Sequence, residues 1–280
     1  METIISSAKR EVLISDQSAT VMIGERINPT GKKKLADSLK EGRFDLIRQE
    51  AIAQVEAGAE ILDVNVAAPE LDEVSLLPKT IETIMAAVDV PLCIDINNPA
   101  ALSAALKVYE GKPIVNSVSG EEKSLNEVLP LVKEYGASVI ALTLDDDGIP
   151  NNPEKRLEIA HKIVEQAGSL GILPEDVIID CLTLALAPDD QAGLITLQAI
   201  KKVKAELGVN QTLGASNISF GLPERFLINR TFLALAIEAG VTCPTVDAEK
   251  VGPAILATDL ILGRDRFCQR FIKDYRRRLE

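Results

Sequence analysis

Short apolar runs alternate with longer amphipathic segments along the whole 280-residue chain. The runs are rich in Val and Ile and too short for helices, so they predict strands: "TVMIGERIN" (20–28), "EILDVNVAA" (60–68), "PLCIDINN" (91–98), "PIVNSVS" (113–119), "SVIALTLD" (138–145), "VIIDCLT" (177–183), "TLGASNIS" (212–219) and "TCPTVDA" (242–248). Between them, "FDLIRQEAIAQVEAGA", "LPKTIETIMAAV", "AALSAALKVYEG", "SLNEVLPLVKEYG" and "PEKRLEIAHKIVEQAGSLG" carry the helical period. Several of these end in Gly and begin near Pro or Ser, as helices do. Eight βα units in a row predict a (β/α)8 TIM barrel rather than an open doubly wound sheet. No linker or low-complexity tract divides residues 1–280, so a single domain is expected, with 1–19 as an N-terminal arm or cap.

Composition sharpens this picture. The chain is 46% hydrophobic but only 3% aromatic and has no Trp, so its core must be built from aliphatic side chains. That suits parallel strands covered by helices. A formal net charge of −12 argues against a nucleic-acid partner, because phosphate binding needs a basic surface. Cys93, Cys181, Cys243 and Cys268 show no CxxC spacing and sit in or beside apolar runs, which reads as reduced, buried thiols rather than a zinc site. With no apolar stretch of membrane-spanning length and no secretory h-region, a cytoplasmic protein without a membrane partner is expected.

The candidate chemistry lies where each strand turns polar at its C-terminal end. Glu25, Arg26 and Asn28 close the first run, Asp63 and Asn65 the second, and Asp95, Asn97 and Asn98 the third. Asn116 and Ser117, Thr143 and Asp145, Asp180, Ser216 and Asn217, and Asp247 follow. In a barrel these ends converge on one face, where the active sites of this fold lie. Asp and Asn at a strand end also make turns and cap helices. That reading weakens where the acid lies inside the apolar run, as Asp63, Asp95 and Asp180 do, since a buried carboxylate is costly unless paired.

The ring has no His, no Cys cluster and no strand-end Lys; the lone His161 lies on a helix, so triad chemistry has no base. A carboxylate metal site is conceivable, but acids alternating with amides better suit a planar heterocycle, and no metal is expected. Carboxylates accept paired hydrogen bonds from an amidine-like edge, while Asn both donates and accepts. Gly214, Ala215 and Ser216 would let a ligand approach the backbone beside Asn217, although a tight turn is the simpler reading of those residues.

Taken together, "MIGERIN", "ILDVNVA", "LCIDINN", "IVNSVSG", "VIIDCLTL", "LGASNIS" and "INRTFLALAIEAG" resemble, in order and spacing, the methyltetrahydrofolate:corrinoid/iron–sulfur protein methyltransferases. These are pterin-binding barrels related to dihydropteroate synthase and to the folate module of cobalamin-dependent methionine synthase. The resemblance runs from about residue 20 to the end. It implies that Asp95, Asn116 and Asp180 hydrogen-bond the pterin ring, and that Gly214, Ser216 and Asn217 form the other side of the site. Asn217 would sit by the methyl-bearing nitrogen as the catalytic residue. Phe220 departs from the family, which often has Gln there.

The implied reaction moves a methyl group between 5-methyltetrahydrofolate and cobalt, in a direction the sequence leaves open. The chain lacks the D-x-H-x-x-G cobalamin motif, since Ile159 stands two residues before His161, so the corrinoid (cobalamin) must arrive on a separate corrinoid-binding protein. The family also implies a homodimer. Two alternatives are a dihydropteroate synthase-like enzyme and a non-catalytic folate-binding module.

Overall fold

The computed structural model describes residues 1–69 and 71–279. Strands β1 (Glu2–Ser6) and β2 (Glu11–Ser15) form an antiparallel hairpin. Eight parallel strands then follow: β3 (Ile23–Ile27), β4 (Ile61–Val64), β5 (Leu92–Asp95), β6 (Ile114–Ser119), β7 (Ser138–Leu142), β8 (Val177–Asp180), β9 (Gln211–Thr212) and β10 (Thr245–Val246). They pair in sequence order, β10 returns to pair with β3, and a parallel bridge between Gly214 and Thr245 joins β9 to β10. The sheet is therefore a closed (β/α)8 barrel, as the alternation of the sequence predicts.

The strands are buried on both faces, which is why they read as apolar runs rather than alternating ones. Outward residues such as Leu62, Val64, Leu92, Ile94, Val139 and Ile179 pack under the helices in one large cluster. Inward residues Ile23, Ile61, Cys93, Ile114, Ile140, Ile178 and Cys243 fill the barrel interior together with Ile5, Val12 and Ile14 of the hairpin. The hairpin thus plugs the N-terminal end of the barrel. Asn210 fixes it there by donating from Nδ2 to Thr3 Oγ1 at 2.8 Å and to the Ile14 carbonyl at 3.0 Å. With that end filled by aliphatic side chains, the polar strand ends gather at the opposite mouth.

The structure departs from the sequence reading in three places. The predicted strand 212–219 is a strand only at Gln211–Thr212, after which Ala215–Ser219 forms a 3-10 turn. Arg225 holds this turn, donating from Nη2 to the Ser216 carbonyl and from Nε to Ser219 Oγ, each at 3.0 Å. The helix predicted to begin at Leu77 starts at Glu73 and runs through Pro78, because Leu77, Thr80 and Ile81 bury on one face of a continuous helix. Finally, Cys268 is only half-buried, unlike the other three thiols.

Candidate active site

Polar strand ends of the barrel line a cavity of about 630 Å3 at its C-terminal mouth, within the usual range for small-molecule sites. All six sequence-predicted binding residues reach it: Asp95, Asn116, Asp180, Gly214, Ser216 and Asn217. Asp63 joins them, as do Glu25, Arg26, Asn28 and Asp247.

The barrel's register sets this convergence. Asp95 pairs with Asn116 across β5–β6, one step beyond the buried Ile94–Val115 pair. Asp180 is the last residue of β8, opposite Leu142. It is half-buried at the cavity wall rather than sealed in the core, so water reaches the carboxylate when no ligand is bound.

Two carboxylate–amide pairs organise one wall. Asn116 Nδ2 donates to Asp63 Oδ1 at 3.1 Å, and Asn65 Nδ2 donates to Asp95 Oδ2 at 2.9 Å. The first pair commits one amide hydrogen of Asn116 and aims its remaining hydrogen-bonding capacity at the cavity. Burial, with Asp95 close by, pushes Asp63 up to about 8. Burial also raises Asp95, against the hydrogen bond from Asn65. The two carboxyls therefore hold on to a proton at neutral pH, because two charges this close in a dehydrated wall repel.

Asp180 has a different environment. Burial pushes it up to about 6, opposed by the Leu182 N–H at 2.7 Å from Oδ1 and by the charge of Arg156. Leu182 adopts φ +56°, a left-handed conformation costly for a branched residue. The fully buried Arg156 holds it, donating from Nη1 to the carbonyls of Cys181 at 2.6 Å and Leu182 at 2.8 Å, and from Nε to the Pro150 carbonyl at 2.9 Å. Arg156 faces no carboxylate in any of these bonds. Its charge sits behind Asp180 and favours the ionised form.

Opposite lies an ion-pair group. Arg26 meets Glu50 through Nε at 2.9 Å and Nη2 at 3.2 Å, and reaches Asp247 at 3.2 Å, while Lys250 lies 2.7 Å from Asp247. Burial alone would raise Asp247, but Lys250 and Arg26 hold it below the usual carboxylate range. Glu25 is pushed up, first by burial and then by Asp247. Lys32 is lowered by burial and by Arg26.

Other strand-end residues serve the scaffold. Asn98 caps the helix Pro99–Val108, its side chain accepting from Ala100 and Ala101. Thr143 hydrogen-bonds the Asp180 carbonyl, and Asp145 accepts from Asp147 in a turn closed by Gly148. For these residues the turn-and-cap reading holds.

The sequence reasoning missed Lys32 and Lys250, which line the cavity although no strand ends in Lys. They come from the segment after β3 and from the helix Ala248–Ile261, one turn beyond the positions a strand-end search covers. Phe220 also lines the cavity, half-exposed, with the Arg225 guanidinium 4.6 Å from its ring centre. His161 is remote, on the helix Pro153–Ser169, facing Glu206 at 3.5 Å. Among the described residues there is no cluster of His, Cys, Asp and Glu suited to a metal ion. Nor does any described helix have the length and apolarity to cross a membrane.

Comparison with known proteins gives the same grouping. The chain is 36% identical over 267 residues to the methylcorrinoid:tetrahydrofolate methyltransferase of Eubacterium limosum, covering 91% of this chain and 96% of that protein. It is 30% identical to the methionine synthase of Mycobacterium tuberculosis over 95% of this chain, but that match spans 24% of the larger enzyme. In fold it superposes on the dihydropteroate synthase of Yersinia pestis with a TM-score of 0.69 at 14% identity, covering 94% of this chain and 99% of the other. Residues 24–247 match the sequence profile of the pterin binding enzymes, a span that starts in β3, ends at Asp247 and encloses every residue of the cavity wall except Lys250; the chain belongs to that family.

Proposed function

We propose that this protein is a methyltransferase that moves a methyl group between 5-methyltetrahydrofolate and the cobalt of a corrinoid carried by a separate protein. The observation that carries the reading is the convergence of Asp95, Asn116, Asp180 and the 214–217 turn on one cavity at the barrel mouth. The extended likeness to the Eubacterium limosum enzyme supports it independently. The pterin's amino and ring N–H groups would meet the carboxylates of Asp95 and Asp180, with Asn116 on the ring's amide edge. The Leu182 N–H and, behind it, the charge of Arg156 support this role by favouring the accepting, ionised form of Asp180.

A tertiary amine is a poor methyl donor, because its nitrogen would leave as an amide anion; protonation or a strong hydrogen bond must develop there in the transition state. Asn217 is assigned to that nitrogen. It is exposed at the cavity edge, so it orients a hydrogen bond through water rather than acting as an acid itself. The reverse reaction, with the nitrogen attacking a methylated corrinoid, uses the same contacts. The open mouth is where the corrinoid protein docks, and a homodimer leaving that face free belongs to the same reading. So does a reducing, cytoplasmic setting for the four free thiols.

The test mixes cob(I)alamin, 5-methyltetrahydrofolate and the purified protein and follows conversion of Co(I) to methyl-Co(III) by absorbance. Protein-dependent conversion that Asp180→Ala impairs is the expected result. Formation of dihydropteroate from a pterin pyrophosphate and an arylamine, or folate binding with no transfer to any reduced corrinoid, would overturn it. An Asn217→Ala protein that binds folate and turns over at the wild-type rate would remove Asn217 from the mechanism.

A further inference from the structure

Five carboxyls line the cavity at the barrel mouth, and four of them are committed within the protein. Asp63 accepts from Asn116, Asp95 from Asn65 and Asp180 from the Leu182 N–H, while Asp247 pairs with Arg26 and Lys250. The fifth, Glu25, is half-buried and has no hydrogen-bond or ion-pair partner among the described residues. The barrel register places it beside the 214–217 turn. Thr245 of β10 pairs with Ile23 of β3 on one side and bridges to Gly214 on the other, so the three strands are level there. Two residues further toward the mouth stand Glu25, Asp247 and Ser216, all on the cavity wall, with Asn217 next in the chain. A register shift between Gly24 and Ile27 lets the consecutive Glu25 and Arg26 both line the cavity. The other carboxyls that hold on to a proton, Asp63 and Asp95, lie on β4 and β5, and β5 stands across the barrel from β9.

We propose that Glu25 is the acid that supplies the proton to the folate nitrogen, through the water that Asn217 orients; the inference rests on the methyltransferase reading above. Burial and then the charge of Asp247, at the end of β10, hold the Glu25 proton beyond the ordinary carboxylate range. Lys32 from the segment after β3, Lys250 from the helix Ala248–Ile261 and Arg26 of β3 oppose them, and Asp63 faces Glu25 from β4. In the direction toward cobalt, Co(I) places its electron pair on the methyl carbon, the C–N bond breaks and its pair stays on the nitrogen. One proton passes from the Glu25 carboxyl to the water and from the water to that nitrogen, leaving tetrahydrofolate, methyl-Co(III) and the Glu25 carboxylate. In the reverse direction the nitrogen attacks the methyl group, Co(I) leaves with the pair, and the Glu25 carboxylate takes the proton back.

The experiment measures transfer by the full chain at saturating folate between about pH 6 and 9, from 5-methyltetrahydrofolate to cob(I)alamin and from methylcobalamin to tetrahydrofolate, with folate affinity followed by calorimetry. The wild-type protein is expected to slow in the first direction as pH rises and to quicken in the second, because one uses the acid and the other its conjugate base. Glu25→Gln keeps the size of the side chain and leaves no protein partner unpaired, so it is expected to fold and to bind 5-methyltetrahydrofolate within about twofold of wild type. It should lower both rates by roughly 100-fold and flatten both profiles. Glu25→Asp keeps an acid at shorter reach, so it should restore a pH-dependent rate between those of Glu25→Gln and wild type, and it carries the test if Glu25→Gln fails to fold. A folded variant with the wild-type rate and profile, or one whose loss lies entirely in folate affinity, overturns Glu25 as the proton source and leaves the methyltransferase reading standing. A wild-type protein that binds folate and transfers in neither direction overturns both.

Discussion

Asp180 survives at the end of an apolar strand because three things act on it at once. It faces the cavity rather than the core, it accepts the Leu182 N–H, and Arg156 sits behind the same loop. The result is a carboxylate that loses its proton at about 6 despite its surroundings. The ligand's N–H edge needs the ionised form, so protonation must be reversed before binding. Folate affinity is therefore expected to fall below about pH 6, approaching tenfold per pH unit. Asp180→Asn should bind more weakly at pH 7.5 and lose that part of the pH dependence. Titrations across pH 5 to 8 check both, and a wild-type affinity unchanged over the range would remove Asp180 from ligand recognition. In the sequence, Asp180 is visible as an acid inside an apolar run. Its environment is not, because Arg156 lies on a helix 24 residues earlier and looks like any other exposed helical cation.

At the scale of elements, strand order and helix spacing follow from the alternation of short apolar runs and amphipathic segments. The hairpin β1–β2 does not: residues 1–19 read only as an arm. Alternation in "ETIIS" and "EVLIS" puts Ile5, Val12 and Ile14 on one face, but only closure of the barrel supplies the interior they fill. Ile14 is fully buried there, so Ile14→Ala is expected to cost roughly 2–5 kcal/mol of stability. The hairpin lies at the end of the barrel away from the cavity, so folate affinity of the folded variant should be unchanged. Denaturant titration and calorimetry measure the two separately. The short β9 departs from the sequence pattern for a related reason. "TLGASNIS" has strand-like residues, but pairing goes no further than the Gly214–Thr245 bridge, and Arg225 captures the turn that follows.

Across the whole molecule, burial raises Glu25, Glu60, Asp63, Asp95, Asp180 and Asp259 together. Each of these carboxyls keeps its proton to higher pH in the folded state than in the unfolded chain. Their contribution to stability is thus complete below the ordinary carboxylate range and is lost as pH rises through the shifted values, up to about 8 for Asp63. The net charge of −12 adds repulsion in the same direction. The unliganded protein is expected to be less stable at pH 8 than at pH 5, by up to about 1.4 kcal/mol per pH unit for each proton of difference, and so to melt at a lower temperature. Asp63→Asn should flatten the upper part of that decline, and a melting temperature that rises over the same interval would contradict the account.

The sequence by itself determined the barrel and the polar ring at its mouth. Both are consequences of one-dimensional pattern: parallel strands buried on two faces must be apolar throughout, and they can turn polar only where they leave the core. Tertiary structure alone decided which polar residues share a wall, which merely cap helices, and where cations enter the site. Those outcomes depend on register between strands remote in sequence. The pairing of Asp63 with Asn116 and the reach of Lys32 and Lys250 exist only once the barrel has closed.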